Sequence, residues 1–286
     1  MNEKYLLKLQ EDLRLKNYTK NTCDDYYRFV VRFLDFVGKD AMSISYADIR
    51  KFIFYMQNEE HKKPATINVY TAAIRFFFVY TLGYAWDNRK IPKMKCDRKL
   101  PVVLTREEVN RLIDSMDNYK HKAITATMYS SGLRVSEVCH LRYDDISRTK
   151  KMIHVSLSKN RQDRYTILSD YNLDILTEYW YRFNRPKGWL FPSPLRDAPL
   201  TPATVEQFIR EHARKLGLPE GVTPHTMRHS FACHMLEDGV SHTFIQQLLG
   251  HRSPASTDVY LQMTSKALMG IRSPFDTYRE ECDGGR

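Results

Sequence analysis

The chain has 286 residues and a formal net charge of +10, with 44 Lys and Arg against 34 Asp and Glu. Hydrophobic residues make up 42%, which excludes a disordered chain, and the length suits two domains better than one. The longest purely apolar runs, such as Phe76-Phe77-Phe78-Val79, are far too short to cross a bilayer, so no membrane association is expected. The start, Met1-Asn2-Glu3-Lys4, lacks the layout of a signal peptide, and a cytoplasmic protein is expected. Its charge would draw it to polyanions such as nucleic acid, although a basic but inert surface has the same composition. The five cysteines are widely spaced with no C-x-x-C pair, which argues for free thiols over a disulfide framework or a Cys-based zinc site.

Residues 1–87 read as a helical N-terminal domain. Tyr26, Phe29, Val30, Phe33, Leu34 and Val37 fall on one helical stripe. Ser45 and Asp48 have the spacing of a capping box for a helix carrying Ile49, Phe52, Ile53 and Met56. A third stripe holds Ile67, Tyr70, Ile74, Phe77 and Phe78, with Gly83 placed to end it. Residues 88–104 hold two prolines and several Lys and Arg without periodicity, which predicts a basic linker. Two readings stand for it: a strand along a phosphate backbone, or a solvated connector.

A second domain, 105–286, opens with another capping box, Thr105 to Glu108, ahead of Val109, Leu112, Ile113 and Met116. The rest reads helical, except for Met152 to Ser169. There Ile153, Val155 and Leu157 alternate, and a polar turn of residues 159–164 leads into Tyr165 to Leu168, the pattern of a β-hairpin. The fold expected is therefore mainly α with a small antiparallel β-hairpin or sheet in the second domain.

The chemistry-bearing residues lie in that domain. Arg134 follows Gly132 at a helix start, with Glu137 three residues on. His225 and Arg228 share one face of a helix that Thr223 and Pro224 can begin. His251 comes just after Gly250, and Tyr260 follows in Thr257-Asp258-Val259-Tyr260. A metal reading of His225, His229, Cys233 and His234 is disfavoured. No Glu adjoins His229, and a buried Arg228 would repel a cation. No metal and no cofactor are expected.

These segments, G-L-R, H-x-x-R, L-G-H and a following Tyr, with a hairpin Lys between the first two, resemble the tyrosine recombinase (phage integrase) family. They are most like those of compact Xer-type, transposon and phage enzymes. The resemblance implies a two-domain clamp, a helical core-binding domain plus a catalytic domain, and a site of Arg134, Lys159, His225, Arg228, His251 and Tyr260. It also implies a site-specific recombinase that cleaves and rejoins DNA through a 3′-phosphotyrosine, without metal or ATP. The biological role would be integration or excision, transposition, or dimer resolution. Two guanidiniums can clamp the non-bridging oxygens of a phosphodiester. A phenol, with a pKa of about 10, needs help to attack. His225 would relay its proton, His251 would bind the phosphate, Lys159 would protonate the leaving 5′ oxygen, and Glu137 would orient Arg134.

The expected partner is double-stranded DNA with inverted-repeat half-sites, bound by a homotetramer on paired sites. A partner recombinase or accessory protein would fit the same scheme, as would nucleoid association. Thr204, Gln207 and Arg210 lie on one face of a helix over 200–216. That helix resembles one that approaches the major groove in the family, and a plain surface helix is the other reading. The apolar set Leu268, Met269, Ile271 and Phe275 would dock into a neighbouring protomer or fold back on its own domain. The competing functions are a type IB topoisomerase and a DNA-binding relative that has lost catalysis.

Overall fold

The computed structural model describes residues 2–97, 100–156, 163–194, 198–250 and 255–261. Its contacts divide the chain into two units, Met1–Lys99 and Leu100–Arg286. The first unit is built from α1 (Glu3–Leu15), α2 (Lys20–Val37), α3 (Tyr46–Asn58) and α4 (Pro64–Phe76). Local signals set their ends. Thr19 caps α2 by accepting from the Thr22 N–H, and Gly38 ends that helix at φ +66°. Ser45 and Asp48 form the capping box of α3. The Asp48 carboxyl also accepts from Lys39, which with the cap bonds holds its pKa at about 2.

Helix α4 runs into a π-helical turn over Phe77–Thr81, and Gly83 follows at φ +77°. Phe76, Phe77 and Phe78 are all buried, joining Leu9, Leu13, Phe33, Phe52 and Met56 in one core. Residues 88–97 carry no helix or strand, yet they are tied to this unit. Ile91 is buried in its core. Asn68 brackets the Met94 backbone, donating to its carbonyl at 3.0 Å and accepting from its N–H at 2.9 Å.

The second unit begins with α5 (Arg106–Asp114), whose capping box joins Thr105 and Glu108. Its centre is α6 (Tyr119–Ser131), in which Ala123 to Met128 are buried without a break. The hydroxyls of Thr125 and Thr127 survive there by bonding carbonyls one turn back, His121 O at 3.0 Å and Ala123 O at 2.7 Å. Packed along α6 is α10 (Pro224–Glu237), also buried on nearly all sides. Around this pair lie α7 (Val135–Cys139), α8 (Asp170–Arg182), α9 (Pro202–Lys215), α11 (His242–Leu249) and α12 (Ala255–Leu261).

A three-stranded antiparallel sheet completes the unit, with β1 (Ile146–Ser147), β2 (Met152–Val155) and β3 (Arg164–Ile167) in that order. The expected hairpin is present, with two differences. A third strand, β1, joins it. Arg164, read from the sequence as part of the polar turn, is instead the first residue of β3, opposite Val155. Its side chain is drawn inward by an ion pair described below. The fold is thus mainly helical with a small antiparallel sheet, as the sequence implied.

Gly132 ends α6 at φ +63°, and a Cβ there would stand 2.5 Å from Phe231 Cδ1 and 2.8 Å from Leu249 Cδ2. Both the backbone sign and the packing therefore require glycine. Gly132→Ala is expected to lower stability by about 1–2 kcal/mol for the left-handed backbone and about 1–3 kcal/mol for overpacking. Urea unfolding followed by circular dichroism would measure the loss.

Candidate active site

Arg134 is the residue that caps α7, and Glu137 stands at the third position of that helix. The Glu137 carboxylate reaches back to the Arg134 backbone N–H at 2.8 Å and also accepts from Arg134 Nη1 at 2.8 Å. The same spacing that caps the helix therefore directs the guanidinium. Glu137 further receives a paired contact from Arg164, Nη1 to Oε1 and Nη2 to Oε2, each 2.8 Å. Arg228 Nη1 lies 3.8 Å from Glu137 Oε2. Three guanidiniums thus share one buried carboxylate. Burial would raise its pKa, but the Arg164 and Arg134 contacts override this and hold it at about 2.

Arg228 is 3% exposed. Its Nη1 donates to Gly132 O at 2.7 Å and its Nη2 to Leu249 O at 2.6 Å. Those carbonyls close the C-terminal ends of α6 and α11, where Gly132 and Gly250 adopt left-handed backbone. Helix C-termini present carbonyls without helical partners and about half a negative charge each. The two ends together make a counter-charge for the buried cation. Burial, followed by the neighbouring Arg134, lowers the Arg228 pKa to about 9, which leaves it charged at neutral pH.

Tyr260, on α12, is 2% exposed, and its hydroxyl lies 3.1 Å from His229 Nδ1. Burial raises the phenol pKa, while the charges of Arg228 and Arg134 pull it back down. Burial, then His225 and Arg228, lower the His229 pKa to about 4, so the imidazole is neutral at pH 7. One of its nitrogens is therefore free to accept from the phenol. His225, the residue expected to take that proton, lies one turn earlier on α10 and is exposed, its ring centroid 6.2 Å from that of His229. The ring that meets the hydroxyl is His229, which sequence reasoning had weighed only as a member of a metal set. That set does not converge, because His234 Nδ1 is bonded to the Tyr129 hydroxyl at 2.8 Å.

The structure thus brings together Arg134, Glu137, Arg228 and Tyr260, with His225 on the next turn of α10. Lys159 and His251 lie outside the described residues, as does the segment carrying Leu268, Met269, Ile271 and Phe275. Thr204, Gln207 and Arg210 occupy the exposed face of α9, while Val205, Phe208, Ile209 and Ala213 face the core. Gln207 Nε2 there donates to Glu211 at 3.0 Å. Arg164 was missed. Only its place just after a polar run and before an alternating strand hinted at an inward side chain.

Residues 102–266 match the model of the phage integrase family, and residues 5–88 match that of the phage integrase N-terminal SAM-like domain. The chain therefore belongs to the phage integrase family of tyrosine recombinases. It is 38% identical to the putative integrase/recombinase y4qK of Sinorhizobium fredii, over 94% of this chain and 87% of that protein. It is 33% identical to the tyrosine recombinase XerA of Pyrococcus furiosus, over 90% of this chain and 88% of that one. The crystal structure of XerA recombinase aligns with a TM-score of 0.56 at 27% identity, covering 95% of this chain and 99% of that chain. A post-cleavage complex of XerH site-specific recombinase with palindromic difH substrate shares the fold, with a TM-score of 0.72 at 18% identity over 90% of this chain and 80% of that one.

Proposed function

We propose that this chain is a site-specific recombinase that cuts and rejoins DNA strands through Tyr260. The Tyr260 hydroxyl gives up its proton to the histidines of α10, with His225 as the relay. Its oxygen attacks the phosphorus, the bond to the 5′ oxygen breaks, and a 3′-phosphotyrosine forms. Lys159 gives the departing 5′ oxygen its proton. The 5′ hydroxyl of a second strand then attacks, releasing the tyrosine and sealing the new joint. Arg134 and Arg228 hold the non-bridging oxygens, with His225 and His251 as further phosphate or proton contacts. The observation that carries this reading is the convergence of Arg134 and Arg228 on Glu137, with the Tyr260 hydroxyl one residue further along α10 at His229.

Two guanidiniums supply the positive charge that a metal ion would otherwise bring to the phosphate. A suitable probe is a duplex selected by the chain from a random pool and nicked to trap the covalent adduct. Adduct formation on it should proceed at an undiminished rate in excess EDTA. Loss on chelation with recovery on added Mg²⁺ would defeat the mechanism.

DNA binding is expected to weaken steeply with salt as Lys and Arg replace condensed counterions. Within that binding, Thr204, Gln207 and Arg210 on the exposed face of α9 are the proposed base contacts. Arg210→Ala should relax sequence preference at one position by about 1–3 kcal/mol if it reads a base. Selection from the random pool with the variant measures this, and an unchanged consensus removes Arg210 from the readout.

The domain plan that accompanies this function is an N-terminal core-binding domain over 1–87, a basic linker over 88–104 and a catalytic domain over 105–286. Two inverted-repeat half-sites would each take one protomer, and two such sites would pair in a tetramer. The apolar residues Leu268, Met269, Ile271 and Phe275 would supply the contact to the neighbour, and a partner recombinase or accessory protein would act on the same assembly. The place of action is the cytoplasm, at the nucleoid. Among the described residues no helix is long and apolar enough to cross a membrane.

A further inference from the structure

We propose that Arg164, which lies outside the expected catalytic set, is a positioning residue for strand cleavage. It fixes the direction of Arg134 through Glu137 and the turn before His251 through the Leu248 carbonyl. The inference rests on the recombinase reading above. All three of its nitrogens are engaged. Nη1 and Nη2 grip the two oxygens of Glu137, and Nε donates to Leu248 O at 2.8 Å. The side chain is 9% exposed and that of Glu137 is 4% exposed, so little water competes for these bonds. Gly250 packs against the shaft of the same arginine, and a Cβ there would stand 2.9 Å from Arg164 Cδ.

Arg164 also sits on the rung opposite Val155. That is the last described rung before residues 157–162, the stretch that holds Lys159. One side chain therefore joins the start of β3, which follows the stretch holding Lys159 in the chain, the helix that Arg134 caps, and the end of α11, which precedes His251 in the chain. Only a planar guanidinium offers three donors in the fixed fork that this joint uses. A lysine would keep the charge and lose the geometry. Without Arg164, Glu137 would keep its bonds to Arg134 but gain freedom to rotate, and its carboxyl would bind a proton more readily.

The test uses the full chain, with the selected and nicked duplex as probe. Arg164→Lys and Arg164→Gln are compared with the parent in non-covalent affinity, single-turnover adduct formation across pH, and melting temperature. Both variants are expected to bind the probe within about threefold of the parent. Cleavage should fall by about 10-fold in Arg164→Lys and about 100-fold in Arg164→Gln, the scale on which misplaced catalytic groups act. In Arg164→Gln the acid limb of the rate should move to higher pH, because Glu137 then protonates earlier. In a Glu137→Gln background, Arg164→Gln should add little further loss, since the two act as a unit.

Parent-like cleavage rates and pH profiles in both variants would overturn the proposal. So would losses that multiply in the Glu137→Gln background, or loss of folding in both variants, which would make Arg164 a structural residue alone. Failure of the parent itself to form an adduct would instead count against the recombinase reading.

Discussion

Tyr260→Phe is expected to abolish covalent attachment to DNA while leaving the folded chain and its DNA affinity nearly unchanged. The hydroxyl is the only atom removed. Among its partners are His229 Nδ1 at 3.1 Å and the Arg228 side chain. Losing these bonds costs about 1–3 kcal/mol, since the phenyl ring still fills its place beside Phe231, Ala232, Cys233 and Leu249 in a small core. The chemical loss is of another order, about 10⁴-fold or more, as removal of a nucleophile generally is. Denaturing gels of the nicked probe would read the adduct, and gel shift would read binding. A protease-sensitive adduct persisting in the variant would move the nucleophile to another of the chain's tyrosines.

The second large effect is expected at Arg228, and it combines stability with chemistry. In Arg228→Ala the carbonyls of Gly132 and Leu249 lose their donor, and the ends of α6 and α11 lose the cation between them. Removing one member of a buried charged network typically costs about 3–5 kcal/mol. For a unit of this size, that is a fall in melting temperature of roughly 10 °C. Below the new melting temperature, adduct formation should still be lower by about 10²–10³-fold, the scale for removing one donor to a developing oxyanion. Calorimetry and single-turnover cleavage at a temperature where the variant is folded would separate the two effects. A variant that melts lower but cleaves normally would restrict Arg228 to a structural role.

The parts of this molecule that the sequence announced are those governed by short-range rules. The capping boxes at Ser45 and Thr105 depend on residues three apart, and both formed. The alternation of Ile153 and Val155 marked β2 because one face of that strand is buried. Arg134, Arg228 and Tyr260 were legible as site candidates through motif spacing, although their convergence was not. Helices α6 and α10 left little amphipathic signal because they are buried on nearly all sides. Strand β1 spans only Ile146 and Ser147, too short for any period to register.

Arg164 illustrates the harder failure. Locally it extends a polar run, and its reason for pointing inward is Glu137, 27 residues away in the chain. Likewise His229 sits four residues after His225, a spacing weighed only for a metal site and set aside, so its contact with the Tyr260 hydroxyl was not foreseen.

The two helix ends that flank Arg228 have an electrostatic consequence for the substrate. Arg134, Arg164 and Arg228 bring three positive charges, Glu137 returns one negative charge, and the ends of α6 and α11 together contribute about one more. What remains uncompensated is on the order of one positive charge, the complement of a single phosphodiester. DNA arriving there would complete the local neutrality that the protein lacks by itself. As attack on the phosphorus places further negative charge on its non-bridging oxygens, that excess would fall beside these same cations. The scaffold would thus hold a ground-state phosphate at balance and favour the more charged state through which it must pass.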